Sequence, residues 1–375
     1  IQKRGKTDML ITIFYIFIVI VAVQLFYYAG IFSKFAFAKI QKSTPKRIPI
    51  SVIVCAKNEV SNLNKLIPLL LVQEYKSFEL VLINDGSNDE TLEIMTRFQK
   101  QSSKIKIVNV KNNEAFWGNK KYALTLGIKA ATNEHLLFTD ADCIPSSRKW
   151  IQEMSNHFTE SKTIILGYGA YKLKKNSFVN LMIRFETLIA AIQYFSYAKL
   201  GSPYMAVGRN LAYTKSDFFR VNGFIDHMKI LSGDDDLFIR DAATSDNTNI
   251  ALNSNSFTIS EAPDTLKKWF RQKRRHISTA QYYKFKHQFF LGLFHGSKFI
   301  FFILAPLILA FSPSITANSF FISYLLLSYI TIGFCAKKFK EKNIIYYLPF
   351  LEIFLILFQF AIFITNSISK PRHWK

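Results

Sequence analysis

Four long apolar runs constrain this 375-residue chain more than any other feature. Met9 to Phe32 is almost purely apolar, with Gln24 its one strongly polar side chain. About 20 apolar residues suffice for a helix to cross a bilayer. Within hydrocarbon only a helix or a closed barrel satisfies its own backbone, so runs of this length read as transmembrane helices. Three more lie near the C-terminus, at about Phe289–Phe311, Ser319–Ala336 and Ile344–Ile364. The first of these holds His295 and Lys298 near its start. It is expected to begin at the interface and then enter the bilayer, with a kink at Pro306. A cleaved signal peptide is the rival reading of the N-terminal run, because Ala36-Phe37-Ala38 is small-x-small. The run is too long for a signal's apolar core, and Lys34 intrudes before the would-be site.

Basic residues set the expected orientation. Lys34, Lys39, Lys42, Lys46 and Arg47 follow the first run, and Lys337, Lys338, Lys340 and Lys342 separate the last two. The segment Ser312–Asn318 is uncharged. The centre of the chain is therefore expected in the cytoplasm of a bacterial inner-membrane protein. The tail Lys370–Lys375 and the residues Lys3, Arg4 and Lys6 argue the other way, and the larger internal clusters outweigh them. The formal net charge of +22 concentrates beside the apolar runs, where basic residues meet anionic lipid. No nucleic-acid-binding motif accompanies it, so membrane lipids rather than nucleic acid are the expected partner. Cys55, Cys143 and Cys335 lack metal-ligand spacing and fit a reducing compartment.

Between about Pro49 and Lys286 short apolar runs alternate with helical spacing. Strands are expected at Ile50–Cys55, Phe78–Ile83, Ile105–Val110 and His135–Thr139. Helices are expected at Glu59–Gln73, Asp89–Lys100 and Asn119–Ala131. Such alternation implies an α/β fold with a doubly wound, mostly parallel sheet. Ligands bind such sheets at the C-terminal strand edge. Three polar loops fall there: Ala56-Lys57-Asn58-Glu59, Asp85-Gly86-Ser87-Asn88-Asp89 and Asp140-Ala141-Asp142. Residues two apart on a strand share a face, so Asp140 and Asp142 can converge on one hard cation. Mg2+ or Mn2+ suits them, since few carboxylates are needed when substrate phosphates complete the shell. Asp85 can accept from a uracil imide or a ribose hydroxyl. Lys120 can reach a diphosphate. Ser87 or Asn88 can equally serve as a cap for the following helix.

Taken in order, these pieces resemble glycosyltransferase family 2, over roughly residues 48–280. Pro49 to Glu59 is similar to the family's first strand with its Asn-Glu, which brings in Ala56, Asn58 and Glu59. Ile83 to Asp89 is similar to its Asp-Asp-Gly-Ser-x-Asp loop, with Asn84 in place of the first Asp. Lys120 to Leu124 resembles a lysine-containing helix start, and Thr139 to Asp142 matches the Asp-x-Asp motif. Gly208 to Tyr213 and Val221 to Phe224 look like the acceptor-side segment, and Gly233-Asp234-Asp235 like the catalytic-base motif. Gln272 to His276 stands where synthases carry Gln-x-x-Arg-Trp, with His276 in place of Trp.

The resemblance implies a GT-A-type sheet with one N-terminal and about three C-terminal transmembrane helices. The implied divisions are 9–32 (first span), 48–265 (cytoplasmic catalytic domain), 266–288 (basic amphipathic interfacial segment) and 289–366 (C-terminal spans). It also implies a membrane-bound inverting transferase that moves a sugar from a nucleotide-sugar to a lipid-linked or saccharide acceptor in cell-envelope glycan synthesis. Donor contacts would come from Ala56, Asn58, Glu59, Asp85, Lys120, Asp140, Gln272 and Arg275. The metal, Mg2+ or Mn2+, would be held by Asp142 and Asp140. Gly208, Asn210 and His276 would lie on the acceptor side. Asp234 and Asp235 compete for the role of base: alignment as Gly-Asp-Asp selects Asp235, and alignment on Asp-x-Asp-Leu selects Asp234. Arg275 would stabilise the leaving diphosphate. A uridine donor rests on Asp85. A processive synthase and a non-catalytic nucleotide-sugar-binding scaffold are the alternatives, and the His276 replacement favours single or limited transfer over the first.

Overall fold

The computed structural model describes residues 2–39, 45–111, 120–230 and 232–369, without the side chains of 2–7. Lys42, Asn119 and the tail Lys370–Lys375 lie outside these residues, as do the side chains of Lys3, Arg4 and Lys6. The strands are β1 (Ile50–Ala56), β2 (Phe78–Asp85), β3 (Ile105–Val110), β4 (His135–Asp140), β5 (Cys143–Pro145), β6 (Ile164–Leu166), β7 (Gly169–Tyr171), β8 (Leu211–Thr214), β9 (Thr248–Ile250) and β10 (Thr258–Ser260). The helices are α1 (Gln2–Leu25), α2 (Ser33–Ala36), α3 (Val60–Leu71), α4 (Thr91–Gln101), α5 (Lys120–Ala130), α6 (Trp150–Ser155) and α7 (Phe178–Lys199). They continue with α8 (Lys215–Arg220), α9 (Asp236–Ala242), α10 (Leu266–Ile277), α11 (Phe285–Phe311), α12 (Ile315–Lys338) and α13 (Leu348–Ile368).

Seven strands form one sheet in the order β3-β2-β1-β4-β8-β6-β9. β3, β2, β1 and β4 pair in parallel, β8 runs antiparallel to both β4 and β6, and β9 is parallel to β6. The mostly parallel, doubly wound expectation therefore holds, with one reversed strand at the centre. The β-branched and leucine-rich sequences of β1 and β2 suit burial on both faces, and Val52, Val54, Leu80 and Leu82 are fully enclosed. Register sets Cys55 opposite both Ile83 and Asp140. The C-terminal ends of β1, β2 and β4 thus lie side by side. A small second sheet, β5-β10-β7, flanks that edge.

Among the described residues, five helical runs are long and apolar enough to cross a membrane: Asp8–Ala36, Phe178–Lys199, Phe285–Phe311, Ile315–Lys338 and Lys342–Ile368. Four correspond to the runs read from sequence. The remaining one, α7, was read as part of the catalytic domain, and 72% of it is buried. Its Tyr194 hydroxyl donates to the Gly167 carbonyl at 2.9 Å, which fastens it to the seven-stranded sheet just past β6. Its Arg184 pairs with Glu341 and reaches Asn343 at 2.8 Å in the α12–α13 connection. So α7 is a shared wall between sheet and membrane helices.

Polar residues inside the apolar runs are paired with one another. Gln24 donates to the Phe294 carbonyl at 3.0 Å and to Ser297 Oγ at 2.8 Å. Lys298 on α11 pairs with Glu352 on α13, and Tyr28 and Tyr324 donate to the same carboxylate at 3.0 and 2.9 Å. Charges at membrane depth are costly unless paired. This cluster ties the N-terminal run to α11, α12 and α13. Lys298, expected near the interface, is thus enclosed among the helices.

The basic segment after Thr265 also differs from expectation. It is a helix only to Ile277, and α11 begins at Phe285. α10 packs on α13: Trp269 is fully buried and stacks on Phe358 with ring centroids 4.0 Å apart. Arg274 donates to Asn366 Oδ1 at 2.9 Å.

Candidate active site

The three strand ends, the acidic triplet and α10 enclose one cavity of about 830 Å³. Asp85 closes β2 and Asp140 closes β4. Asp142 follows on the turn into β5. Asp234 and Asp235 precede α9, whose start is shaped by Gly233 at φ +94°, a backbone that L side chains rarely adopt. Lys120 opens α5, and Gln272, Arg275 and His276 come from α10. Glu59, Asp85, Lys120, Asp140, Asp142, Gly208, Asp234, Asp235, Gln272, Arg275 and His276 all face this cavity.

Three expected residues do not line it. Ala56 is buried within β1. Asn58 adopts φ +57°; its N–H donates to Ser87 Oγ at 3.0 Å, and its Oδ1 accepts from the Asn88 N–H at 2.9 Å. It staples two loops together, and Ser87 and Asn88 are used there rather than as caps of α4. Asn210 is fully buried behind the cavity. Its amide donates to the Tyr168 and Ser256 carbonyls at 2.9 and 2.8 Å, and its oxygen accepts from the Trp150 indole at 3.1 Å. An amide so fully engaged holds loops in place and has no group left for an acceptor. Asn84 has a similar local use: it donates to Asn109 Oδ1 at 2.8 Å across β2 and β3.

The charges are arranged as a chain. Lys120 Nζ lies 3.0 Å from Asp140 Oδ1 and 2.8 Å from Asp234 Oδ2, so one ammonium bridges the β4 end to the acidic triplet. Burial would raise the Asp234 carboxyl, but the Lys120 charge outweighs it and holds the group below the usual range. Asp235 is the opposite case. Burial, then the negative Asp234 and Asp236, push it up to about 8. Its oxygens accept from the Gly208 N–H at 2.7 Å and the Asp236 N–H at 2.8 Å. Asp236 also borders the cavity, but its carboxylate is engaged, accepting from Thr279 at 2.5 Å and Tyr283 at 2.7 Å. The two adjacent acids thus differ in use: Asp236 anchors the segment leading to α11, while Asp235 is held by backbone N–H groups.

Asp142 is raised by its confinement in the cleft and then by the Asp140 charge. Asp140, Asp142 and Cys143 bring ligand atoms within 4.8 Å of one another. The Cys143 thiol is pushed up by burial and donates to Asp142 Oδ1 at 3.3 Å. A buried neutral thiol suits soft metals poorly, which leaves two carboxylates facing the cavity, the set that Mg2+ or Mn2+ prefers. Gln272 Oε1 is a buried acceptor with no partner among the described residues. A bound ligand would satisfy it.

Residues 51–231 match the model of glycosyl transferase family 2. This stretch, just under half of the chain, is a glycosyl transferase family 2 region. A 4,4'-diaponeurosporenoate glycosyltransferase of Staphylococcus haemolyticus is 26% identical over 177 residues, 46% of this chain and 46% of that protein. A probable glycosyltransferase of Bacillus subtilis, YdaM, is 26% identical over 340 residues, covering 88% of this chain and 76% of its own length. Several of the curated relatives are matched over less than half of their length. The fold is similar to that of a mannosyltransferase from Pyrobaculum calidifontis solved with GDP-mannose and Mn2+, with a TM-score of 0.56 and 15% identity over 91% of this chain and 99% of that one.

Sequence reasoning missed three cavity residues, Arg209, Lys273 and Glu186. Arg209 donates to the Gly169 carbonyl at 2.6 Å and to Ser260 Oγ at 3.1 Å, and it lies over the Tyr171 ring. Its positive charge bears on Asp142. A Cβ at Gly169 would fall 2.2 Å from Arg209 Nε, so only glycine lets the guanidinium pass. Lys273 forms a 2.6 Å pair with Glu186 of α7. His276 is held neutral by its enclosure, then by Lys273 and Arg275. The Arg209 and Glu186 partners are distant in sequence, so no local pattern marks them.

Proposed function

We propose that this chain is a membrane-bound inverting glycosyltransferase that moves a sugar from a nucleotide-sugar to an acceptor hydroxyl. The observation that carries this is the gathering of Asp85, Lys120, Asp140, Asp142, Asp235 and Arg275 around one cavity. The catalytic part is read as residues 48–265, facing the cytoplasm, with spans on either side. Asp85, at the base of the cleft, suits the imide and hydroxyl donors of a uridine nucleotide.

The residues divide the work by charge. Asp235 is the general base that takes the acceptor's proton, a contribution of about 10²–10⁴ in rate. Asp235 is preferred to Asp234 because the Lys120 ion pair leaves Asp234 a poor proton acceptor. Arg275 and Lys120 present positive charge to the leaving diphosphate, and such preorganised donors act where charge develops. Asp140 and Asp142 would hold Mg2+ or Mn2+, which neutralises diphosphate charge when bound. Gly208, whose N–H fixes Asp235, and His276 frame the acceptor side.

The test is nucleotide release by the purified protein in lipid, with a panel of UDP- and GDP-sugars, with and without Mg2+ or Mn2+. Metal-dependent release from one donor, lost in Asp142→Ala and Asp235→Asn, is the expected result. Release from no donor even with membrane lipid extract present, while nucleotide still binds, would refute it.

A further inference from the structure

The cavity does not end at the catalytic groups. It continues past His276 and Ile277 of α10 into a cleft walled by three of the five long apolar helices. α7 supplies Ala190 and Gln193, α11 supplies Gly292, Gly296 and Phe299, and α13 supplies Ile356, Phe360 and Phe363. Phe299 stacks on Phe360 with centroids 4.6 Å apart, closing α11 against α13 at that level. Phe360 and Phe363 are 43% and 65% exposed, so the arm reaches the outer surface of the helical bundle. One cavity thus joins a strongly charged catalytic end to an apolar end at membrane depth.

The two glycines sharpen the point. Gly292 and Gly296 sit one turn apart on the same face of α11. A Cβ added at either would meet no atom within 4 Å. Helix crowding is therefore not what needs a glycine there, and each is a poorer helix former than alanine. Their effect is to leave a notch in the wall of the arm. The polar groups of the arm, Gln193, His295 and Gln359, meet one another: Gln193 and His295 are 3.2 Å apart, and Gln359 hydrogen-bonds the same imidazole. Beyond them the walls carry no charged side chain among the described lining residues. A sugar chain crossing there would find few hydrogen-bond partners, whereas a hydrocarbon chain would find matching walls.

We infer that this arm holds the hydrocarbon tail of a lipid acceptor, whose hydroxyl-bearing head is presented to Asp235. The inference rests on the transferase reading above and narrows its acceptor to an amphiphile. The tail enters between α11 and α13 from the bilayer, lies in the Gly292–Gly296 notch and leaves the head near His276. Gly296→Leu fills the notch without meeting backbone.

The experiment uses the full chain in nanodiscs with a dioleoylglycerol analogue carrying a diazirine near its tail end. Labelled residues are mapped by mass spectrometry. Ile303 and Leu307, 48% and 44% exposed on α11, report ordinary contact with bulk lipid. The expected result is labelling at Gly292, Gly296, Phe299 and Phe360 that falls at least fivefold in Gly296→Leu, with Ile303 and Leu307 labelling unchanged. Asp235→Asn should label as the wild type does, because tail binding does not use the base. Equal labelling of the arm in Gly296→Leu and wild type would overturn the inference, as would labelling confined to Ile303 and Leu307. Sugar transfer is followed in parallel with dioleoylglycerol and with a water-soluble oligosaccharide. Transfer to the oligosaccharide alone, insensitive to Gly296→Leu, would also overturn it. Arm labelling without any transfer would instead refute the transferase reading and leave the tail site standing.

Discussion

Replacing Asp235 by asparagine should inactivate the protein and stabilise it at the same time, and the two effects should have linked pH dependences. The carboxyl sits near 8 because it is buried and has Asp234 and Asp236 as neighbours. In the unfolded chain it would titrate near 3.8. A group raised in the folded state contributes its full stability below the unfolded value and loses it as pH rises through the folded one. Ionised Asp235 is therefore a burden above about pH 8, worth at most ~6 kcal/mol at ~1.4 kcal/mol per pH unit. Asparagine removes that burden. Its NH2 cannot accept from one of the two N–H groups that now bind the carboxylate, which returns ~1–3 kcal/mol. The net gain at pH 9 is at most ~3–5 kcal/mol, vanishing towards pH 5. Activity runs the other way. A base must be ionised, so kcat/KM in the wild type should climb about tenfold per pH unit and level off near pH 8. Asp235→Asn should fall by ~10²–10⁴. Thermal unfolding in detergent at pH 5 and 9, with nucleotide release from pH 6 to 9.5, tests both halves. A flat kcat/KM profile, or a variant less stable than wild type at pH 9, would refute the reasoning.

Other substitutions separate structure from chemistry. Asp142→Ala should weaken Mn2+ binding in the presence of nucleotide at least tenfold, read by electron paramagnetic resonance, while leaving the unfolding temperature within a few degrees. Asn210→Ala strands two carbonyls and the Trp150 indole, and should cost ~3 kcal/mol in unfolding with donor affinity unchanged. Glu352→Gln leaves the Lys298 ammonium enclosed without its counter-charge and should cost ~3–5 kcal/mol; pairing it with Lys298→Met should recover much of the loss, measured by detergent unfolding.

The legible parts of this molecule are those carried by local pattern. Strand β1 to β4 positions follow from β-branched runs, and the parallel arrangement brings their polar ends to one edge, so Asp85, Asp140 and Asp142 could be grouped before any coordinates existed. Four apolar runs were equally plain. What escaped was set by partners distant in sequence. Asn58 and Asn210 carry the polar side chains expected of a binding loop, but Asn88 is 30 residues from the first, and Trp150 is 60 from the second. Nothing near them in sequence says that their amides are already engaged. α7 escaped because Arg184 and Glu186 interrupt its apolar run, and their counter-charges lie far off in sequence, Glu341 in the α12–α13 connection and Lys273 in α10. Lys298 looked interfacial because its partner Glu352 is on α13.

The same long-range pairs explain how a membrane bundle can hold a catalytic geometry. Asp236 spends its carboxylate on Thr279 and Tyr283, in the segment that leads into α11. Asp235 is its chain neighbour, so the position of the proposed base is tied to the foot of a long apolar helix. On the opposite wall Lys273 of α10 pairs with Glu186 of α7, and Trp269 packs on α13. Lys121 closes the third side: burial lowers its ammonium to about 8, and it donates to the carbonyls of His227, Ile230 and Ser232, just ahead of the acidic triplet. The triplet is thus braced from the sheet through α5 and from the long apolar helices through α11. A movement of α11 against α13 large enough to admit a lipid tail would pull on Thr279 and Tyr283, and through Asp236 on Asp235. Acceptor entry and placement of the base are then one mechanical event. This requires that Tyr283→Phe, which cuts one of those links while leaving the ring in place, lower turnover more than donor affinity.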